Sequence, residues 1–204
     1  NTYERVIDIR REGSAFSVGT RTADGEQVYR ARQVVLSKGD MDNPNLLGIP
    51  GENLPHVSHY FDRTHRYFRK RLLIVGGRNS AVEAALRCWR AGAEVTISYR
   101  RAEFDRGSVK KHILPDLLTQ IRKGNIGFLP KTVPLSISPG YTVLKPASDP
   151  AFTEGDRIVH HSDFVLLCTG FVQDMRLYEA AGVTLEGPDR IPVYNPETME
   201  TDVP

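Results

Sequence analysis

Six consecutive residues, Gly76, Gly77, Arg78, Asn79, Ser80 and Ala81, separate a wholly apolar stretch from a helical pattern. Two adjacent arginines, Arg100 and Arg101, follow, with Arg106 shortly after, and Thr169 and Gly170 close a later apolar stretch. Glycines at a sharp strand-to-helix turn expose backbone N–H groups. A helix N-terminus adds partial positive charge, so the two together suit a pyrophosphate. Adjacent guanidinium groups suit one more phosphate, which each can grip with paired hydrogen bonds. The chemistry these types and spacings support is the binding of a phosphorylated dinucleotide.

The elements that must position these groups follow from periodicity. Leu72, Leu73, Ile74 and Val75 form a continuous apolar run, the pattern of a strand buried on both faces of a parallel sheet. A helix is expected from about Asn79 to Ala91, because Val82, Ala85, Leu86 and Trp89 recur at helical spacing. Gly92 is placed to end it, and Val95, Ile97 and Tyr99 alternate as a second strand. Strand, glycine turn, helix and strand in this order make the dinucleotide-binding unit, a Rossmann-like α/β arrangement.

The glycine fingerprint of such units is G-x-G-x-x-G/A. Aligned on Gly76 and Ala81, its middle glycine falls on Arg78. Either the backbone approaches the pyrophosphate less closely here, or the Arg78 guanidinium itself reaches a phosphate. Ser80 and Glu83 also match a helix capping box, a reading compatible with binding. NAD-binding units place an acid some 20 residues past the glycines to hold the ribose 2′-OH. Here Arg100 lies 24 positions beyond Gly76 (100 − 76), and the nearest acid in that strand, Glu94, is at its start. Arg100 and Arg101 therefore point to a 2′-phosphate and NADP(H), with Arg106 able to close over the same group. The bland alternative is a solvated basic patch.

GGRNSAVEAAL followed by YRRAEF resembles the NADPH domain of thioredoxin-reductase-like flavoproteins, whose pattern is GGGDSA…HRR…F. The nearer resemblance is to the bacilliredoxin (bacillithiol disulfide) reductases, which lack the active-site cysteine pair of thioredoxin reductase. Asn43 to Phe61, Lys110 to Leu118 and Leu166 to Phe171 carry further matching stretches. The resemblance implies an NADPH domain interrupting a split FAD domain whose fingerprint lies at the protein's N-terminus. On that basis residues 1–54 are expected to be an FAD-domain remnant of meander and crossover, 55–174 the NADPH-binding domain, and 175–204 the start of a returning FAD-domain segment. The chain is expected to be a piece cut around the NADPH domain, with any catalytic cysteine outside it, so no catalytic residue is assigned here.

Composition agrees with a folded domain: 204 residues, 40% hydrophobic, 25% charged. A net charge of +2 is too small to argue for nucleic acid. No apolar run approaches a membrane span and no leader-like stretch opens the residues, so a cytoplasmic location is expected. The two cysteines, Cys88 and Cys168, form no C-x-x-C and have no metal-ligand company; both read as small core residues. Where thioredoxin reductases carry their C-x-x-C, the resemblance puts His59, Tyr60, Phe61 and Asp62, with no thiol; His59 and His65 also raise a metal reading. Interdomain packing is the favoured role there over catalysis, and no ligand set completes a metal site.

Tyr3–Arg10, Ala15–Arg21, Gln27–Tyr29 and Gln33–Leu36 read as a four-stranded antiparallel meander. Asp40–Pro55 reads as an irregular crossover. Ser108–Lys123 reads as a helix broken or kinked at Pro115. Ile126–Leu129 is a third strand. Short strands at Val133–Ile137, Tyr141–Leu144, Arg157–His160 and Asp163–Cys168 follow; several would form a β-flap and Phe164–Leu167 a buried sheet strand. Gly170 would let backbone approach a cofactor at the open end of the sheet, or is a plain turn glycine. A short helix is expected at Arg176–Ala181.

The resemblance implies an NADPH-dependent flavin oxidoreductase that passes hydride to FAD and on to a disulfide, either of a low-molecular-weight thiol or of a bacilliredoxin-like protein. Alone, this stretch is expected to bind NADPH without catalysing a reaction. The alternatives are a flavin-dependent monooxygenase-like protein and a non-catalytic NADPH-binding module. A homo-oligomer is left open.

Overall fold

β1 (Arg5–Glu12), β2 (Ala15–Thr22) and β3 (Gly25–Ala31) pair in sequence order as an antiparallel sheet. The computed structural model that shows this describes residues 3–39, 41–147 and 153–203. Asp40, where the crossover was expected to begin, and Pro204, the last residue of the tail, lie outside the described residues. Gln33–Leu36 does not join the sheet as the expected fourth strand. β3 ends at Ala31, and Arg32 alone cannot reverse the chain, since an antiparallel return needs at least a two-residue loop. Val34 and Leu36 instead help line a cavity of about 1050 Å³ together with Ile9, Phe16, Tyr178 and Met199.

The chain divides into two compact units: Asn1–Asn43 with Phe171–Pro204, and Pro44–Gly170. The second unit holds β4 (Val57–Ser58), β5 (Arg71–Val75), α1 (Asn79–Arg90), β6 (Glu94–Tyr99), α2 (Leu114–Arg122) and β7 (Ile126–Pro130). It continues through β8 (Thr132–Ser138), β9 (Tyr141–Pro146), β10 (Ile158–His161) and β11 (Phe164–Leu167). A parallel sheet runs in the order β4-β11-β5-β6-β7, and β10-β9-β8 form an antiparallel flap. The architecture is mixed α/β with a parallel sheet and a β-flap, as the sequence implied.

Why residues 72–75 are apolar without a break is visible in the packing. Leu72 and Ile74 face one way, into a cluster with Val82, Ala85, Leu86, Ile97 and Leu117 under the helices. Leu73 and Val75 face the other way, into a cluster with Val165, Leu167 and the flap residues Ile137 and Leu144. Both faces of β5 are covered past Arg71, so none of residues 72–75 tolerates a polar side chain. Burying each of these side chains contributes about 1.5–3 kcal/mol. Ala81, Ala84, Ala85 and Cys88 are small and buried, which brings α1 close to the sheet. Arg71 and Asp163 clamp the entry to β5 and β11 with a 2.7 Å ion pair and a 2.8 Å backbone N–H donation to the carboxylate. Those two Arg71 hydrogen bonds hold the Asp163 carboxyl down to about 2.

Two local expectations are corrected. Ser80 and Glu83 do not form a capping box. The helix starts two residues earlier than a Ser80 cap requires, so Arg78 is the N-cap and makes no side-chain capping bond. Glu83 instead accepts from Lys110 Nζ at 2.6 Å. Pro115 does not kink a long helix. Residues 108–113 are turns and loop, and α2 begins at Leu114, which puts Pro115 in the first turn, where its missing N–H has no helical partner to lose.

In the first unit α3 (Arg176–Ala180) matches the expected short helix, and β12 (Leu185–Glu186) pairs with β13 (Ile191–Pro192). No helix among the described residues is long and apolar enough to cross a membrane.

Candidate functional site

Chain order and sheet order disagree at one place. From β5 the chain moves outward to β6 and then β7, and later returns to the other side of β5 as β11. A crevice opens at the carboxyl ends of the strands wherever the order reverses in this way, and ligands of open α/β sheets bind there. Register aligns those ends: Leu167 pairs with Val75, and Val75 with Ser98. Gly76, Arg100 and Thr169 therefore emerge along one edge of the sheet.

Gly76 occupies the reversal itself. Its φ is +140°, and a Cβ there would lie 2.5 Å from the Cys168 carbonyl oxygen. Its N–H donates to the Ser98 carbonyl at 2.9 Å, so the turn is tied to both neighbouring strands. Gly77 is buried over the Tyr99 ring, whose atoms would lie 2.5 Å from any Cβ. These contacts leave no space for a side chain at either glycine, and the turn stays narrow.

Arg78 is exposed and extended, and its carbonyl accepts from Val82 to open α1. α1 has no acid in its first turn and no side-chain cap, so its first N–H groups and positive end are left for another acceptor. Asn79 Oδ1 accepts the Lys110 N–H at 2.8 Å, fastening the loop after β6 to the helix start. Ser80 is exposed in the first turn, and Ala81 is buried against the sheet.

Arg100 and Arg101 follow β6 directly and are exposed. Arg101 Nη1 lies 3.5 Å from Asp105 Oδ2, and its carbonyl accepts from Lys131. Arg106 is exposed in the next turn. On the other side of the crevice, Thr169 Oγ1 donates to the Asn45 carbonyl at 2.8 Å, and the Asn45 N–H donates to Gly170 at 3.0 Å. Gly170 has a φ of +90° with open space where a Cβ would be. The sequence-derived residues thus fall in two groups: Gly76 to Ala81 and Thr169 with Gly170 border the crevice, while Arg100, Arg101 and Arg106 lie on the loop that leaves β6.

Four contributors were not singled out from sequence. Tyr99 is the floor under Gly77; Phe104 stacks on it at 5.5 Å and on Phe128 at 4.8 Å. Asp105 and Lys110 tie down the same loop. An aromatic flanking each end of the arginine pair was the available signal, since such rings seldom sit in a freely solvated loop.

The His59 region is built from local contacts. Glu52 is buried and accepts the N–H groups of Leu47 and Gly48 at 2.8 and 2.7 Å; His59 Nε2 lies 3.4 Å from the same carboxylate. Tyr67 is buried edge-on to Phe164. Burial pushes the Cys88 thiol up to about 11 and the Cys168 thiol up to about 12. Both thiols therefore resist ionisation near neutral pH, and the thiolate is the reactive form. Iodoacetamide is therefore expected to leave both cysteines of the folded chain unmodified over an hour at pH 8 and to label both in guanidinium. Mass spectrometry reads the result; rapid labelling of either thiol in the folded chain would contradict its burial.

Comparison with known proteins agrees with this geometry. The model of the pyridine nucleotide-disulphide oxidoreductase family matches residues 1–204. A curated relative, bacilliredoxin reductase Bdr of Bacillus subtilis (strain 168), is 35% identical over 178 residues, covering 87% of this chain and 53% of its own. The solved bacillithiol disulfide reductase Bdr of Bacillus cereus superposes with a TM-score of 0.87 at 33% identity, over 99% of this chain and 60% of that one. Thioredoxin reductase of Lactococcus lactis shares the fold, with a TM-score of 0.78 at 23% identity. The chain spans about half the length of the curated relative it matches. With its glycine turn at the reversal of a parallel sheet and a family model matching it from end to end, the chain belongs to the pyridine nucleotide-disulphide oxidoreductase family.

Proposed function

We propose that residues 44–170 bind NADPH and that the intact protein is an NADPH-dependent flavin oxidoreductase acting on a disulfide. The observation that carries this reading is the uncapped start of α1, set behind two glycines without room for side chains at the point where strand order reverses. The residues fit a dinucleotide: backbone N–H groups and the helix end for the pyrophosphate, guanidinium groups for a 2′-phosphate. Gly76, Gly77 and residues 78–81 would hold the pyrophosphate, Arg100, Arg101 and Arg106 the 2′-phosphate, and Thr169 with Gly170 the opposite wall.

When bound, NADPH and FAD supply hydride transfer, and a disulfide is the final acceptor. This chain's share is to bind and orient. Gly77 lets the backbone come close, the Tyr99 ring keeps that turn from collapsing inward, and Asn45 fixes the Thr169–Gly170 wall. Residues 1–43 and 171–204 are read as parts of the flavin half. The acceptor class, a low-molecular-weight thiol disulfide or a bacilliredoxin-like protein, follows from the names of the Bdr relatives.

Titration calorimetry tests the reading on the chain as it stands. Saturable binding of NADPH, at least tenfold tighter than NADH, is expected. Failure to bind either nucleotide, or a preference for NADH, would overturn it.

A further inference from the structure

The loop that carries the arginines also carries an acid aimed back at them. Asp105 Oδ2 lies 3.5 Å from Arg101 Nη1, and its Oδ1 accepts the Gly107 N–H at 2.8 Å. Neither end of this acid is free to leave. Residue 104 before it is a buried Phe, stacked on Tyr99 and Phe128. The Gly107 N–H fixes the carboxylate from the other side, and the Ser108 N–H donates to the Asp105 carbonyl at 3.1 Å. The Gly107 N–H first, then Ser108, with Arg101 and Arg78 adding their charge, hold the carboxyl below its ordinary value. Asp105 is therefore an anion at neutral pH, held by the Gly107 N–H beside a guanidinium that a second anion would need.

We propose that Asp105 is a specificity-determining residue of the nucleotide site: a built-in counter-ion that competes with the 2′-phosphate for Arg101 and so blunts the preference for NADPH over NADH. The proposal rests on the NADPH reading above. A phosphate arriving at Arg101 meets a carboxylate within a few ångströms, and the aromatic stack prevents the loop from carrying that charge away. A nucleotide with a 2′-OH meets no such repulsion, and the same carboxylate is an acceptor for that hydroxyl. One loop thus presents the group that favours NADP(H) and the group that favours NAD(H), and Asp105 sets the ratio between them.

The test is calorimetric titration of the unmodified chain and three variants with NADPH and with NADH. Asp105→Asn keeps the Oδ1 acceptor for Gly107 and removes the charge. It is expected to tighten NADPH binding about 3- to 10-fold and to leave NADH unchanged or weaker. Asp105→Glu keeps the charge and is expected to keep the original ratio. Arg101→Ala is expected to weaken NADPH selectively. If Asp105→Asn leaves the NADPH/NADH ratio unaltered, or Asp105→Glu behaves as Asn does, while Arg101→Ala still weakens NADPH alone, the counter-ion proposal is wrong and the NADPH site stands. If Arg101→Ala changes both nucleotides equally, the NADPH site itself fails and the proposal with it.

Discussion

The double variant Arg100→Ala, Arg101→Ala is expected to bind NADPH about 100-fold more weakly than the parent chain, and NADH only slightly more weakly. The magnitude comes from two charge-assisted hydrogen-bonded contacts, each contributing about 1.5–3 kcal/mol, with each ~1.4 kcal/mol equal to a factor of ten. The lower end of that range is the better guide, because both side chains are exposed and Arg101 already has a partner in Asp105. Exposure also means the effect shrinks as salt rises, so titrations belong at one stated ionic strength. Equal weakening of both nucleotides would show that the arginines act on a part common to both and do not read the 2′ position. Neither side chain packs in the core, so the variant should fold as the parent does.

The second large effect concerns Gly76. Gly76→Ala is expected to destabilise the unit formed by residues 44–170 by about 3 kcal/mol or more, lowering its melting temperature by roughly 10 °C. Nucleotide binding should be lost with it. Two separate costs combine there: a φ of +140°, which side chains rarely adopt, and a methyl 2.5 Å from the backbone oxygen of Cys168. Backbone cannot swing aside as a long side chain would, because the N–H of Cys168 donates to Val75 within the sheet. Gly170→Ala separates the two costs. Gly170 has a φ of +90° but open space around it, so only the backbone term applies, about 1 kcal/mol. Thermal melts of the two variants side by side test the idea; equal loss in both would mean that the close approach of β5 and β11 contributes nothing.

The cysteine chemistry bears on where a disulfide could be reduced. Both thiols of this chain are pushed far above neutral pH by burial, and the segment around His59 holds a carboxylate–histidine contact and packed aromatics in place of thiols. A thiol relay within these residues would need a thiolate that the surroundings suppress.

Much of the architecture could be read before any coordinates, wherever a short-range rule applied. The unbroken apolar run at 72–75 announced a strand covered on both faces, and Val82, Ala85 and Leu86 announced the face α1 turns inward, because burial imposes its period directly on residue type. Gly76 and Gly92 marked turns for the same reason: positive φ excludes most other residues. Boundaries set by competition were not legible. Pro115 looked like a break and is a start, since the same missing N–H is harmless in a first turn. Ser80 looked like a cap and is not, since the turn at Gly76 and Gly77 already fixes where α1 begins. Gln33–Leu36 looked like a fourth strand but does not pair, since Arg32 alone cannot turn the chain back onto β3.

Local pattern thus specified which residues form the β5-α1-β6 crossing and that basic groups follow it. It could not specify what those groups touch. That Tyr99 underlies Gly77, that Cys168 abuts Gly76, and that Asp105 faces Arg101 all depend on side-chain direction or on strands brought together across some 90 intervening residues (168 − 76). Such contacts leave no period in a sequence. The Cys168–Gly76 contact arises only when the return of β11 to the far side of β5 closes the sheet, and that closure shapes the crevice at the carboxyl ends of the strands.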